Sequence, residues 1–192
     1  MIDEIKLLEN KNNYINLLKS TNRYKIEDVI DWLESTDFFE APASTMYHEN
    51  YTGGLCEHSL KVYDNMVKLK QEFKFDIDDE QIIIMTLLHD VCKVNTYTKD
   101  KKNQKIGQNW VTVDFWKRND DYPIGHGQKS IILLQKTGFV LTDLEILSII
   151  AHMNGYEESK YFSASNIYDK NELTIWLHLA DMIATYKDRK II

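Results

Sequence analysis

Histidine and aspartate interrupt the apolar stretches of this sequence, and both are side chains that bind metal ions. For example, His89 and Asp90 close the run IIIMTLLHDV. An ionisable group in a buried stretch costs free energy unless it is paired or bound to a metal. Neutral imidazole and carboxylate are ligands for Zn²⁺, Mn²⁺ and Fe²⁺. The candidate metal ligands, in chain order, are His58, His89, Asp90, His126, His152 and Asp181.

The elements that must position these residues are predicted to be helices. Only two prolines and seven glycines punctuate the chain, which favours long helices over a many-stranded sheet. The first helix carries Ile5, Leu8, Ile15 and Leu18 at helical spacing, and Thr142 opens a capping box before a later one. We therefore expect an all-α fold of six or seven helices, over residues 3–19, 26–33, 55–73, 81–91, 127–137, 142–152 and 171–187.

Two segments depart from the helical pattern. Residues 38–54 contain Pro42, Gly53 and Gly54 and are predicted to form a loop. Residues 96–120 are first polar and basic and then aromatic and β-prone, which predicts a small hairpin-like excursion from the helical bundle.

Length and composition predict one globular domain over residues 1–192. N-terminal helices would occupy residues 3–34, and the core that carries the candidate ligands would span residues 42–187. The net charge of −7 argues against a protein that coats long nucleic acids. No apolar run is long enough to span a membrane, the N-terminus has no signal-peptide pattern, and there are two cysteines. We therefore expect a cytoplasmic protein.

The order and contexts of the candidate ligands resemble a known family. The contexts are GGLCEHSLKV around His58, LLHDVCK around His89 and Asp90, GHGQKS around His126 and LADMIA around Asp181. This pattern resembles the HD-domain metal-dependent phosphohydrolase superfamily in its six-ligand version, over residues 42–187. Within the superfamily, it is most similar to the HD domain of bacterial 3′–5′ exoribonucleases, which have a Pro-Ala start, an upstream histidine and a His-Asp-x-x-Lys motif in the same order.

The resemblance implies an HD-domain helical bundle and a division of labour among the ligands. His58, His89, Asp90 and Asp181 would hold one divalent ion, and Asp90 would bridge to a second ion completed by His126 and His152. The ions could be Mn, Fe, Zn, Co, Ni or Mg. A hydroxide bound to them would attack the phosphorus of the substrate, which makes Asp90 a catalytic residue as well as a ligand.

Three residues beside the ligands each allow a functional and a structural interpretation. Lys93, three residues after Asp90, could bind a substrate phosphate or protonate the leaving oxygen, or it could be an exposed lysine at a helix end. By likeness to the exoribonucleases, His48 could face the site and bind substrate, or it could be an exposed loop histidine. His178, one helical turn before Asp181, could orient that carboxylate or be a core or partly exposed histidine.

The excursion also allows two interpretations. Its cations alternate with aromatic residues, an arrangement that could stack bases and attract phosphates. Alternatively, it is a solvated hairpin whose tryptophans pack on the domain. Aromatic residues after His152 could form the opposite wall of the site. The excursion residues are Lys101, Lys102, Lys105, Lys117, Arg118, Tyr97, Trp110, Phe115 and Trp116, and the opposite wall would contain Tyr156, Tyr161 and Phe162.

The function that this sequence predicts is metal-dependent hydrolysis of a small phosphoester, of a nucleotide, or of the end of an oligonucleotide. Two alternatives stay open. The same six ligands can hold two irons that activate O₂, because histidine and aspartate suit iron as well as manganese or zinc. A non-catalytic HD binding module is the other. The sequence predicts no particular oligomeric state.

Overall fold

The computed structural model describes residues 4–122, 124–153 and 164–186. In this part of the chain, eight helices and one two-stranded antiparallel sheet form the fold, which confirms the predicted helical class with a small β excursion. The helices are α1 Glu4–Ser20, α2 Ile26–Glu34, α3 Gly54–Phe73, α4 Asp79–Leu88, α5 His126–Lys136, α6 Asp143–Ala151, α7 Ala164–Tyr168 and α8 Glu172–Tyr186. The strands are β1 Tyr97–Ile106 and β2 Asn109–Arg118.

The buried apolar side chains form two clusters that share α3 and α4. The first cluster contains side chains from each of the first six helices, among them Leu55 from α3 and Leu87 from α4. The second joins α3, α4 and α8 and contains Met66, Met85 and Leu177. Because α3 and α4 contribute to both clusters, the residues at their ends are held from two sides.

The buried face of α1 differs from the predicted one. Ile5 and Leu8 are 69% and 60% exposed, whereas Tyr14 and Leu18 are fully buried. The stripe that faces the core starts at the half-buried Leu7 and continues through Tyr14 and Leu18, at spacings of seven and four residues. The Tyr14 hydroxyl donates a 2.6 Å hydrogen bond to the carbonyl oxygen of Leu87, which satisfies a carbonyl in the last turn of α4.

The helix predicted over residues 81–91 ends earlier. It stops at Leu88, and the chain continues into a 3₁₀ turn, Val91–Lys93, so His89 and Asp90 lie just beyond the helix. The capping box predicted at Thr142 is present: its hydroxyl accepts from the backbone N–H of Glu145, whose carboxylate accepts from the backbone N–H of Thr142. The short α7 was not predicted.

The predicted excursion is a β-hairpin that stands largely exposed to solvent. Its ten residue pairs run from Tyr97 opposite Arg118 to Ile106 opposite Asn109. Trp110 is 72% exposed, so the expectation that the hairpin tryptophans pack on the domain is wrong for this residue. The aromatic residues proposed for the opposite wall, Tyr156, Tyr161 and Phe162, lie outside the described residues.

Among the helices that the structure describes, none has the length and apolar character needed to cross a lipid bilayer.

Candidate metal centre

The ends of several helices bring the candidate ligands together. His58 lies in the second turn of α3, His89 and Asp90 follow α4, and His152 follows α6. Asp181 lies in the middle of α8, which packs against both α3 and α6. All five of these side chains are buried. His126, the first residue of α5, is half-buried.

The distances between these side chains define a compact centre around the Asp90 carboxylate. Its Oδ2 atom lies 3.4 Å from Nε2 of His89 and 3.8 Å from Nε2 of His58. Its Oδ1 atom lies 3.7 Å from Nε2 of His152. The same Nε2 atom of His58 is also 3.1 Å from Oδ1 of Asp181.

Backbone carbonyls orient two of the imidazole rings. Nδ1 of His89 donates to the carbonyl oxygen of Thr86 (2.8 Å), and Nδ1 of His152 donates to that of Ile149 (2.6 Å). Because Nδ1 carries the proton in each ring, Nε2 of the neutral form is left with a lone pair that faces Asp90. Carbonyl-oriented histidines of this kind are typical of metal sites.

The donor atoms at this centre are chemically suited to a divalent ion. The buried Nε2 atoms of His89 and His152 have no hydrogen-bond partner within the described residues, and the buried Nε2 atom of His58 faces the Asp181 carboxylate. Buried polar atoms without partners are costly, and two of them beside one carboxylate are unusual. Imidazole nitrogens beside two carboxylates form the donor set that zinc, manganese and iron accept, so these residues fit a metal ion.

The charges of the centre also favour cation binding. Burial raises the pKa of Asp90, but the ammonium of Lys93 and the nearby imidazoles of His89 and His152 outweigh burial and hold the pKa well below its usual value. For Asp181, the His58 imidazole likewise overcomes burial and lowers the pKa. Both carboxylates are therefore ionised at neutral pH.

Among the described residues, four groups of side chains have ligand atoms within 4.8 Å of one another, and one of them joins His48, Glu49 and His58. The members of the other three are His58, His89 and Asp181 in the first, His89, Asp90 and His152 in the second, and Asp90, Cys92 and His126 in the third. The first two share His89, and the last two share Asp90. The structure thus brings five of the six candidate ligands into two linked groups and places His126 in a third that reaches them through Asp90. Nε2 of His126 lies 3.2 Å from Nη2 of Arg118.

Lys93 and His48 both face the centre. Lys93 is buried, and its Nζ atom lies 2.7 Å from Oδ2 of Asp90, so its interpretation as an exposed lysine is wrong. The ring of His48 lies 4.7 Å from the ring of His58, centroid to centroid, and both its nitrogens are buried without a hydrogen-bond partner in the described chain. Burial, with the neighbouring His58 and Lys93, lowers the pKa of His48 to about 4.

His178 contacts the centre through the backbone. Its Nδ1 atom donates a 2.6 Å hydrogen bond to the carbonyl oxygen of His152, which ties α8 to the end of α6. The side chain that donates to Oδ1 of Asp181 is Thr185, at 3.4 Å. His178 therefore helps to fix the backbone position of His152 and makes no hydrogen bond to Asp181 among those described.

Glu49 is a site residue that the sequence analysis missed. Its Oε2 atom lies 3.6 Å from Nδ1 of His58, and its Oε1 atom accepts a 2.7 Å hydrogen bond from Lys61. Glu49 has a φ of 39°, in the left-handed region that non-glycine residues rarely adopt. A Cβ atom at Gly54 would collide with the carbonyl oxygen of Glu49, so glycine at position 54 allows this approach. No sequence motif marks Glu49.

Ser130 is a second missed residue, and it supports the backbone that carries the ligands. Its hydroxyl donates to the carbonyl oxygen of His89 (2.6 Å) and accepts from the backbone N–H of Cys92 (3.1 Å). One side chain on α5 thus fixes the chain on both sides of Asp90. The context GHGQKS contained Ser130, but nothing in the sequence indicated its partners.

A cavity of about 550 Å³ opens onto the centre. Asp90, Asp181, Lys93 and His48 contribute its polar lining. The remaining lining residues are Tyr47, Met153, Met182, Thr185 and Tyr186. A cavity of this size accommodates a ligand the size of a nucleotide.

A comparison with known proteins finds similarity over the segment of the chain that carries the candidate ligands. The profile of a protein family described as HD domain matches residues 55–188, which include all six candidate ligands. A curated relative, the dihydroneopterin 2′,3′-cyclic phosphate phosphodiesterase of Methanocaldococcus jannaschii, is 28% identical over 120 residues. The match covers 60% of this chain and 43% of the relative, so the chain spans less than half the length of that protein. No solved structure matches significantly.

Proposed function

The chain belongs to the HD-domain family, and from that premise we propose that it is a divalent-metal-dependent phosphohydrolase. It would act as a phosphodiesterase or nucleotidase on a nucleotide or on the end of an oligonucleotide. The observation that carries the proposal is the convergence of three buried Nε2 atoms, from His58, His89 and His152, on two ionised carboxylates. HD domains bind divalent metals, and a binding site explains why the Nε2 atoms of His89 and His152 have no hydrogen-bond partner among the described residues.

The proposed ligand assignment follows the linked groups. His58, His89, Asp90 and Asp181 would hold one ion, and Asp90 would also serve a second ion held with His126 and His152. Support comes from the positions of His89 and Asp90, each of which belongs to two of the four groups. When bound, divalent ions supply Lewis acidity toward phosphoryl oxygens and lower the pKa of water.

Lys93 would bind a phosphoryl oxygen of the substrate. Burial lowers its pKa, but the Asp90 carboxylate outweighs burial and raises it, so the ammonium group keeps its proton at neutral pH. A permanent cation on the cavity wall can attract phosphate and stabilise negative charge that develops during hydrolysis. It is poorly suited to donating that proton, so of the two roles predicted for Lys93 we favour phosphate binding.

His48 would contact the substrate from the loop that precedes α3. With its pKa lowered to about 4, the ring is neutral at pH 7 and presents one donor and one acceptor nitrogen. Both nitrogens are without partners in the described part of the chain, and the ring lines the cavity. A neutral ring of this kind can hydrogen-bond a phosphate or a sugar hydroxyl, and it adds no second positive charge beside Lys93.

The choice of substrate rests on two likenesses. The phosphodiesterase from M. jannaschii is named for a 2′,3′-cyclic phosphate, and the motif order resembles that of 3′–5′ exoribonucleases. Both point to phosphodiester bonds. We therefore rank phosphodiesters above monoesters for this chain.

Metal content and hydrolysis should be measured on the same preparations. The protein is purified without chelators, assayed for bound metals, and tested with Mn²⁺, Co²⁺ or Fe²⁺ on cyclic nucleotides, short oligoribonucleotides, dNTPs and nucleoside monophosphates. Asp90→Asn should lose metal and turnover together. The matched control is Asp64→Asn, which removes an exposed carboxylate from α3. Full activity and metal content in Asp90→Asn would refute the assignment.

The two alternatives have separate signatures. A di-iron oxygenase would consume O₂ when loaded with iron and release no phosphate from any phosphoester. A non-catalytic module would bind no metal under these conditions. The buried cation Lys93 on the cavity wall favours hydrolysis of an anionic ester over both alternatives.

A further inference from the structure

The β-hairpin presents two faces of different composition. Residues directly opposite each other in an antiparallel pair project to the same side, and successive residues alternate. The register therefore places Lys99 with Trp116, and Lys105 with Trp110, on one side. This basic–aromatic face contains Tyr97, Lys99, Lys101, Asn103 and Lys105 from β1 and Trp110, Thr112, Asp114, Trp116 and Arg118 from β2.

This face carries a net positive charge, whereas the whole chain carries a net negative charge. The basic–aromatic face carries four cations and a single carboxylate, Asp114 opposite Lys101. The full hairpin has six lysine and arginine residues against two aspartates, in a protein of net charge −7. Positive charge is thus concentrated on one projecting ribbon, where it attracts an anionic partner locally.

The aromatic rings of the face are available for stacking. Trp110 is 72% exposed, near the hairpin tip. Trp116 lies nearer the base, half-buried, with the ammonium of Lys99 5.1 Å from its ring centroid. Six residues along a strand separate the two rings by roughly 20 Å. Solvent-accessible indoles beside lysines form an arrangement that binds single-stranded nucleic acids, with bases stacked on the rings and phosphates paired with the cations.

The basic–aromatic face begins at the metal centre. Arg118 and Tyr97 form the first residue pair of the hairpin. Arg118 reaches Nε2 of His126 at 3.2 Å, and the half-buried Tyr97 lies within the electrostatic reach of Lys93 and Asp90. The opposite face contains Val111 and Val113 and has none of these contacts with the centre. The base of the basic–aromatic face therefore adjoins His126, at the edge of the metal centre.

We propose that the basic–aromatic face binds the single strand of an oligonucleotide whose terminal phosphodiester occupies the cavity beside Lys93. This inference rests on the proposed function and specifies its substrate as a chain end several nucleotides long. A ribbon of ten residue pairs, about 34 Å long, can contact several nucleotides beyond the one that reacts. Local positive charge on the hairpin would allow one strand to bind even though the net charge of the chain is −7.

The test compares two double variants with the same change in charge. Lys101→Ala/Lys105→Ala removes two cations from the basic–aromatic face, and Lys102→Ala/Lys117→Ala removes two from the opposite face. Binding of a fluorescein-labelled single-stranded oligoribonucleotide is measured by anisotropy across a range of salt concentrations. We expect the first variant to bind about tenfold more weakly, with a salt dependence shallower by about 1.4 in the log–log slope. The second should stay within about twofold of the parent protein.

A second pair of variants tests stacking. Trp110→Ala should weaken oligonucleotide binding about tenfold, whereas Val111→Ala, next to it on the opposite face, should leave binding unchanged. All four variants should hydrolyse bis(p-nitrophenyl) phosphate at the parental rate, because that compound is too small to reach the hairpin. Equal losses of binding in both members of a pair would overturn the assignment to this face.

Two further outcomes separate the hairpin from the chemistry. If small phosphodiesters are hydrolysed but no variant changes oligonucleotide binding, the hairpin proposal fails and the proposed function stands. If the oligonucleotide binds as expected but no phosphoester is hydrolysed, the proposed function fails instead. Binding of phosphatidylserine vesicles without binding of the oligonucleotide would assign the hairpin to a lipid surface and overturn the proposal.

Discussion

The Oε2 atom of Glu49 lies 3.6 Å from Nδ1 of His58, on the opposite side of the imidazole ring from the candidate metal centre. Burial raises the pKa of Glu49, but His58 and Lys61 outweigh burial and lower it to about 2. An ionised carboxylate at this position orients the ring and increases the basicity of its other nitrogen, as carboxylates behind metal-bound histidines do.

Glu49→Gln should therefore weaken metal binding. We expect the affinity for Mn²⁺ or Zn²⁺ to fall about tenfold to a hundredfold. Glu57→Gln, which removes a neighbouring partner of Lys61 on α3, is the control and should bind metal normally. Equal affinities in the two variants, measured by metal titration, would show that Glu49 does not position His58.

Metal binding should release a proton near neutral pH. Burial lowers the pKa of His58, but the nearby carboxylates of Asp181 and Glu49 outweigh burial and raise it to about 9. In the metal-free protein the ring is therefore protonated at pH 7, and a metal ion must displace that proton. Affinity should rise with pH from 7 to about 9. Calorimetry in buffers of different ionisation enthalpy counts the protons, and an affinity independent of pH would contradict this.

Lys93→Met should reduce turnover more than metal content. The variant removes the cation from the cavity wall but leaves the Asp90 carboxylate available to a metal ion. We expect kcat/KM for a phosphodiester to fall about a hundredfold while the bound metal is retained. Lys68→Met, an exposed position on α3, is the control. Unchanged kinetics would exclude a role for Lys93 in catalysis.

Arg23→Met should destabilise the fold without affecting the centre directly. Arg23 Nη1 lies 2.8 Å from Oε1 of Glu145, whose side chain is completely buried, and 2.9 Å from the exposed Glu80. Loss of Arg23 leaves a buried carboxylate uncompensated, which costs about 3–5 kcal/mol of unfolding free energy. Glu80→Gln should cost less than about 1 kcal/mol. Urea denaturation of both variants measures the difference, and similar losses would refute this reasoning.

Gly127→Ala should separate two ligand-bearing helices. A Cβ atom at this position would collide with the carbonyl oxygen of Ile149, where α5 packs against α6. His126 is the first residue of α5, and His152 follows α6. We therefore expect a loss of about 1–3 kcal/mol in stability together with weaker metal binding. Gly138→Ala, at a position with a φ of 83° and open surroundings, tests backbone strain alone. Weaker metal binding only in Gly138→Ala would contradict the packing argument.

The sequence was sufficient to predict the helical class and to single out histidine and aspartate residues that the structure brings together, because both depend on local patterns. An apolar helix that ends in His89 and Asp90 can be recognised from the chain itself. The contact between Glu49 and His58 could not be, since a loop residue in the left-handed region leaves no periodic pattern. The approach of Arg118 to His126 depends on the direction in which the hairpin projects from the fold. That direction cannot be predicted from the sequence of either strand alone. Tyr14 was missed for a similar reason: its partner is a carbonyl oxygen 73 residues away.

The hydrogen bond from Tyr14 to Leu87 bears on where this protein can be cut. The family match begins at residue 55, yet Tyr14, Leu18, Val29 and Leu33 are fully buried in the first apolar cluster. A fragment trimmed to the matched region would expose the surface that these side chains cover and would lose His48 and Glu49. Expression boundaries for this chain therefore belong before α1, and homologues aligned only over the matched region should be inspected for an equivalent pair of upstream helices.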